Sequence, residues 1–181
     1  LQIEKARRLD ITEEVYFDII RRKTASLLAA CCACGAAAAG ADQETVDRMW
    51  GLGERVGLAF QIQDDLLDLG EGDRTGKPTG QDIRERKMTL PLIHTLAKAT
   101  PSERRRLIRL VKHHSDDPKA VQEVMDAILQ GPGMDRARDE MRRLKEESLA
   151  LLDELGGSET VSQEARAALR DLIEYTIRRV K

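Results

Sequence analysis

The chain has 181 residues, the size of one domain or a large part of one. Thirty basic against thirty-two acidic residues leave a net charge of −2, so no basic face is advertised to nucleic acid. Apolar residues make up 41% and charged residues 34%, enough for a hydrophobic core and too apolar for a disordered chain, while aromatics stop at 3% (Tyr16, Phe17, Trp50, Phe60 and Tyr175). Ala, Leu, Glu and Arg dominate instead, which favours helices and excludes an all-β or Rossmann-like fold. The predicted fold class is all-α.

Residues 1–9 have the pattern of the end of a helix, and the start at Leu1 with that pattern under way reads as a cut chain. The charged opening Glu4-Lys5-Ala6-Arg7-Arg8 is no signal peptide, which points to a cytoplasmic protein. Thr12 caps a long helix, with Glu13 and Glu14 favourably placed in its first turn, predicted to run to about Gly40. Its uncharged stretch, residues 24–41, is built from small side chains and falls short of the roughly 20 residues a membrane span needs. No transmembrane segment is expected; a helix packed on all sides is. Cys31, Cys32 and Cys34 form no disulfide framework, and the C-x-x-C they contain lacks a second pair or a neighbouring His. They read as small buried helix residues in a reducing compartment.

Asp42 caps the next helix, which runs through Trp50 and Phe60 to about Leu69. Residues 70–82, GEGDRTGKPTGQD, carry four of the thirteen glycines and a proline, and read as a loop. Thr89 with Pro91 starts another helix, and Thr100-Pro101-Ser102-Glu103 is a capping box with proline in the first turn. Asp117-Pro118 opens a helix that ends at Gly131-Pro132-Gly133. A charged amphipathic helix over residues 134–155 is stopped by Gly156-Gly157, and a last one covers residues 162–180. The sequence holds no strand pattern and no internal repeat.

The chemistry is concentrated in Phe60-Gln61-Ile62-Gln63-Asp64-Asp65-Leu66-Leu67-Asp68. At roughly 100° per residue, with Asp64 at zero, Asp68 lies near ~40°, Gln61 near ~60° and Asp65 near ~100°. Three carboxylates and an amide share one side, and Ile62 and Leu66 fall outside the arc, free to face the core. Like charges about 5–6 Å apart repel by roughly 3 kcal/mol at an effective dielectric near 20. The helix C-terminus disfavours anions further. A divalent cation reverses the sign of that interaction, and Mg²⁺ prefers carboxylate oxygens with room for water and phosphate. Gly53 and Gly57 fall on the same face, where missing side chains would leave a groove for an elongated apolar substrate with an anionic head.

A solvated acidic patch or helix-end network is the plainer alternative. Against it, Arg74, Lys77, Arg84, Arg86 and Lys87 bracket Asp73 and Asp82 just downstream, an arrangement suited to diphosphate. The spacing of an EF-hand is absent here. Asp116-Asp117 reads as a cap, Arg104-Arg105-Arg106 as a solvated face, and His94, His113 and His114 as non-ligands.

FQIQDDLLD followed by TGKPTGQDIRERKMTLPLI closely resembles the second aspartate-rich motif and lysine-bearing loop of the all-trans polyprenyl diphosphate synthases. Upstream, RRKTASLL resembles the family's K-T-x-x-L segment, and Leu1-Gln2 the end of its G-E-x-x-Q motif. The resemblance covers the whole chain and weakens after residue 100. It implies the isoprenoid synthase helical bundle around a deep cavity, usually in a homodimer. It also implies Mg²⁺-dependent condensation of an allylic diphosphate with isopentenyl diphosphate.

Carried over by motif, Asp64, Asp65 and Asp68 would form the second metal-binding set, Asp64 foremost, with Asp82 in support. Lys23, Lys77 and Lys87 would hold the allylic diphosphate, Thr24 and Gln61 would line the reacting centre, and Phe60 would lie beside the isopentenyl site. The family's first aspartate-rich motif is absent from these residues, so the chain corresponds to the C-terminal portion of such a domain. By itself it is expected to be inactive. The GKPTGQDIRERKMTLPLI wording leans towards a medium- or long-chain product. A non-catalytic subunit of the same fold is the alternative. A terpene cyclase is disfavoured, because its second motif normally uses Asn/Asp, Ser/Thr and Glu.

Overall fold

The computed structural model describes residues 12–70, 79–155 and 162–178. Every regular element among them is helical. In chain order these are α1 (Glu13–Ile20), a π-helical turn (Arg21–Ala25), α2 (Ser26–Ala38), α3 (Gln43–Asp68) and the short α4 (Gln81–Arg84). Then follow α5 (Leu90–Lys98), α6 (Pro101–His113), α7 (Pro118–Gln130), α8 (Gly133–Glu154) and α9 (Gln163–Arg178). The chain divides into two compact units: residues 12–19 with 62–139, and residues 20–61 with 140–178, among those described.

In the first unit, α7 packs on α4, α5 and α6, and α5 also meets α6. The sequence sets the boundaries. Thr100 accepts the Glu103 amide at 3.3 Å while the Glu103 carboxylate accepts the Thr100 amide at 2.9 Å, completing the capping box. Asp117 takes the Lys119 amide at 2.9 Å to start α7. Along α7, Ala120, Val121, Val124, Met125 and Ile128 recur at helical spacing and are all buried, giving the unit its apolar seam. Gly133 lets α8 begin against α5: a Cβ there would lie 2.2 Å from the Pro91 carbonyl oxygen.

In the second unit, Asp42 accepts the Thr45 amide at 2.8 Å and starts α3. The α3 backbone then lies directly on α2 and the π-turn. A Cβ at Gly57 would come within 2.5 Å of Ala25 Cα, and one at Gly53 within 2.6 Å of the Leu28 carbonyl oxygen. Gly53 and Gly57, four residues apart, thus fit Ala25 and Ala29 at the same spacing. This corrects the expected groove, because backbone fills the space the two glycines leave. Elsewhere in the unit, Leu152, Leu155 and Ile173 form a core at 1% exposure each, edged by ion pairs of Arg55 with Glu147 at 2.9 Å and Lys145 with Glu174 at 2.8 Å.

Three further expectations are revised. The predicted helix from Thr12 is interrupted by the π-turn, and α4 begins at Gln81 inside the predicted loop. The α2 helix is not packed on all sides: Ala29 and Ala33 are buried, whereas Leu27, Cys31 and Cys34 are exposed. Close approach to glycine covers one stripe of small residues and no more. Cys32 is intermediate in exposure, with its thiol pushed up by burial and then by Cys31. An alkylating reagent is therefore expected to modify two thiols of the native chain quickly and the third slowly, read by intact mass. The readings for residues 1–9, 71–78 and Gly156-Gly157 lie outside the described residues. Among the described residues, no helix is long and apolar enough to cross a membrane.

Candidate functional site

In the first unit the acidic end of α3 is tied to three neighbouring segments. The Tyr16 hydroxyl donates to Asp65 Oδ2 at 2.8 Å, and the Leu90 amide donates to the same oxygen at 3.2 Å. Leu90 is the first residue of α5, so its N–H has no partner inside that helix, and Asp65 supplies one. Asp68 does the same for α4. Its Oδ1 takes the Gln81 amide at 3.1 Å, its Oδ2 takes the Asp82 amide at 3.0 Å, and its carbonyl takes the Gly80 amide at 2.8 Å. Gly80 has φ +77°, and a Cβ there would also strike the Met125 sulfur at 2.7 Å, so glycine is required at this closure. Repulsion within the D-D-x-x-D triplet is thus relieved by helix N-termini and a hydroxyl. Sequence spacing could not show this, because the donors come from 13 to 49 residues away.

Asp65 illustrates what this enclosure costs. Burial pushes its carboxyl up to about 7 against the opposing bonds from Tyr16 and Leu90, and the Asp82 and Asp64 charges add to the rise. Burial and then the Asp65 charge hold the Tyr16 hydroxyl well above the ordinary tyrosine range. Between about pH 4 and 7 native Asp65 keeps a proton that the unfolded chain has lost, so stability falls as pH rises through that window. The difference is worth roughly 4 kcal/mol. Denaturant unfolding of metal-free protein is expected to show this slope, and Asp65→Asn, which does not ionise, to flatten it.

Asp82 and Lys87 meet downstream. The Lys87 ammonium lies 2.8 Å from Asp82 Oδ1 and 2.6 Å from Glu85 Oε2; burial opposes its charge, but these two partners outweigh it and hold the ammonium above the ordinary lysine range. The turn that aims it is a Schellman closure of α4, with Lys87 N–H on the Asp82 carbonyl at 2.8 Å and Arg86 N–H on that of Ile83 at 3.0 Å. Arg86 occupies the left-handed position, φ 58°, where glycine is usual. Its guanidinium donates to buried Ser115 at 3.0 Å, which fixes the side chain on the scaffold.

In the second unit, Lys23 and Thr24 sit in the π-turn, a feature frequent at functional sites and without a sequence signal here. Lys23 is exposed, and Thr24 donates its hydroxyl to Gln61 Oε1 at 3.1 Å. Gln61 is buried, so this bond sets the direction of its amide, with the NH₂ remaining as a donor. Thr24 and Gln61, placed together by resemblance, are thus in contact. Phe60 is half-buried beside them in sequence, and Lys77 lies outside the described residues.

Among the described residues no three Asp, Glu, His or Cys side chains converge as a ready-made metal cage. A hydrated hard cation does not need one: one or two carboxylates suffice when water and phosphate oxygens complete the shell. Half-buried Asp64, next to Asp65 at the end of α3, suits that demand. The class of protein defined here is an all-helical one with an acidic helix end beside a lysine-bearing turn.

A family model described as polyprenyl synthetase matches residues 1–128. Nonaprenyl diphosphate synthase of Mycobacterium tuberculosis is 36% identical over 170 residues, 92% of this chain and 48% of that protein. Heptaprenyl diphosphate synthase component 2 of Geobacillus stearothermophilus is 37% identical over 175 residues, 96% of this chain and 52% of that protein. The crystal structure of a polyprenyl synthase from Caulobacter crescentus, complexed with calcium and isoprenyl diphosphate, superposes with a TM-score of 0.85 at 30% identity, over 99% of this chain and 54% of that one. The chain belongs to the polyprenyl synthetase family and has its all-helical isoprenoid synthase fold. It spans about half the length of the curated relatives it matches.

Proposed function

We propose that this chain is the C-terminal portion of a Mg²⁺-dependent all-trans polyprenyl diphosphate synthase. In this reading the complete protein is a cytoplasmic homodimer that condenses an allylic diphosphate with isopentenyl diphosphate. The observation that carries it is the anchoring of the acidic motif: Asp65 and Asp68 are bonded to the two ends of a lysine-bearing turn, with Asp64 directly before Asp65 in sequence. The similarity to a synthase crystallised with a divalent cation and isoprenyl diphosphate supports it.

Asp64 would be the principal protein ligand of Mg²⁺, with Asp82 in support; when bound, the ion neutralises charge that grows on the departing diphosphate. Lys87 would add positive charge for the same leaving group, and Lys23 and Lys77 carry the same assignment by motif alone. For Lys87 this means exchanging its bonds to Asp82 and Glu85 for phosphate oxygens. The Thr24–Gln61 pair holds an amide donor in place within the second unit. As the allylic carbon–oxygen bond breaks, the isopentenyl double bond attacks the cationic carbon, and loss of a proton restores the alkene.

The test is incorporation of labelled isopentenyl diphosphate by the complete protein with and without Mg²⁺. Chain elongation that requires the ion is expected, and its absence with every allylic primer would overturn the reading. The isolated 181 residues are expected to be inactive, since positioning both substrates takes a whole cavity. A second reading, a subunit that acts only with a partner chain, is favoured by the likeness to a synthase component. It predicts elongation only after that partner is added.

A further inference from the structure

The Tyr16 hydroxyl comes from α1, 49 residues from its acceptor, and reaches Asp65 in a part-buried contact. Tyr16 itself is 4% exposed, and its ring stands edge-on to Phe17 with centroids 5.5 Å apart. A phenol this enclosed has few rotamers to choose from, so the direction of its O–H is set by packing. The acceptor, Asp65 Oδ2, also receives the Leu90 amide from the start of α5. One carboxylate oxygen therefore pins α1, α3 and α5 within the first unit. None of the motifs that carry the family resemblance in the acidic segment includes Tyr16.

We propose that Tyr16 is a positioning residue for the acidic motif: with the Leu90 amide it holds Asp65 as a clamp, fixing the rotation of the last turn of α3 and so the placement of Asp64. The assignment rests on the reading of Asp64 as a Mg²⁺ ligand, and it gives Asp65 a different task from its neighbour. The rotation matters because neighbouring residues on a helix are about 100° apart. A small twist of this turn moves Asp64 relative to the cation and its phosphate ligands, and a shift of about 1 Å costs a site of this kind on the order of 10²-fold.

Tyr16→Phe keeps the ring and its packing and removes only the O–H. In the complete protein, kcat is expected to fall at least tenfold and the Mg²⁺ concentration for half-maximal rate to rise at least fivefold, with KM for isopentenyl diphosphate unchanged. Mn²⁺ binding in the presence of inorganic diphosphate, followed by electron paramagnetic resonance without turnover, is expected to weaken by the same factor. Unchanged Mn²⁺ affinity overturns the proposal, even if the melting temperature has dropped, because the hydroxyl would then serve stability alone.

A conservative pair supplies the second arm. Asp65→Asn keeps an oxygen for both donors and is expected to bind Mn²⁺ at least fivefold more tightly than Asp65→Ala. Equal loss in the two variants would make Asp65 a ligand and not a clamp. Mn²⁺ binding of wild-type strength without prenyl transfer would count against the proposed reaction and leave the clamp standing, so the two failures are separable.

Discussion

Asp64→Ala is expected to lower kcat/KM for prenyl transfer by the complete protein about a thousandfold, equivalent to ~4 kcal/mol of transition-state stabilisation. The loss is large because the charge to be neutralised, that of a departing diphosphate, develops mainly in the transition state. Asp68→Asn should cost far less, about tenfold, because asparagine still accepts one of the two amides that Asp68 now satisfies at the start of α4. Steady-state incorporation of labelled isopentenyl diphosphate measures both. Near-normal turnover in Asp64→Ala would remove the metal assignment, and equal losses at the two positions would contradict the division between metal and scaffold.

Glycine substitutions in the second unit are expected to change stability in opposite directions. At Gly57 a new Cβ would meet Ala25 Cα at 2.5 Å and Ala25 Cβ at 2.9 Å, atoms of a packed helix that have nowhere to go. Gly57→Val should therefore destabilise by about 3 kcal/mol or more, enough to lower Tm by roughly 6–12 °C for a chain of this size. At Gly35 nothing lies within 4 Å, and the residue is exposed inside α2. Gly35→Ala should stabilise by about 0.5–1 kcal/mol, since only the backbone entropy of glycine is at stake. Thermal unfolding of the two variants checks both signs. A neutral Gly57→Val would mean that the π-turn and α3 separate more easily than their backbone contact implies.

The capping residues Thr100 and Asp117 were sufficient to place the starts of α6 and α7, because each completes its bonds within three residues. The D-D-x-x-D motif and K-T segment were equally plain, and so was the burial of Ile62 and Leu66, both fully buried. The π-turn was not legible. Its residues, RRKTA, have ordinary helical propensities, and its effect lies in how Thr24 meets Gln61, 37 residues away. Nor could the glycine face be judged from α3 alone. Gly53 and Gly57 mark open space or close contact depending on what packs there, and Ala25 and Ala29 do.

Composition, helical periodicity and local caps therefore determined the all-helical class, most element boundaries and the residue types of the site, because these depend on neighbours within about one turn of helix. Tertiary structure alone decided which carboxylates are bonded to the scaffold. The partners of Asp65 and Asp68 include a hydroxyl and three backbone N–H groups brought from distant segments. Whether a carboxylate is stabilised by such donors is settled by desolvation and hydrogen bonding in the folded state, which sequence spacing does not encode.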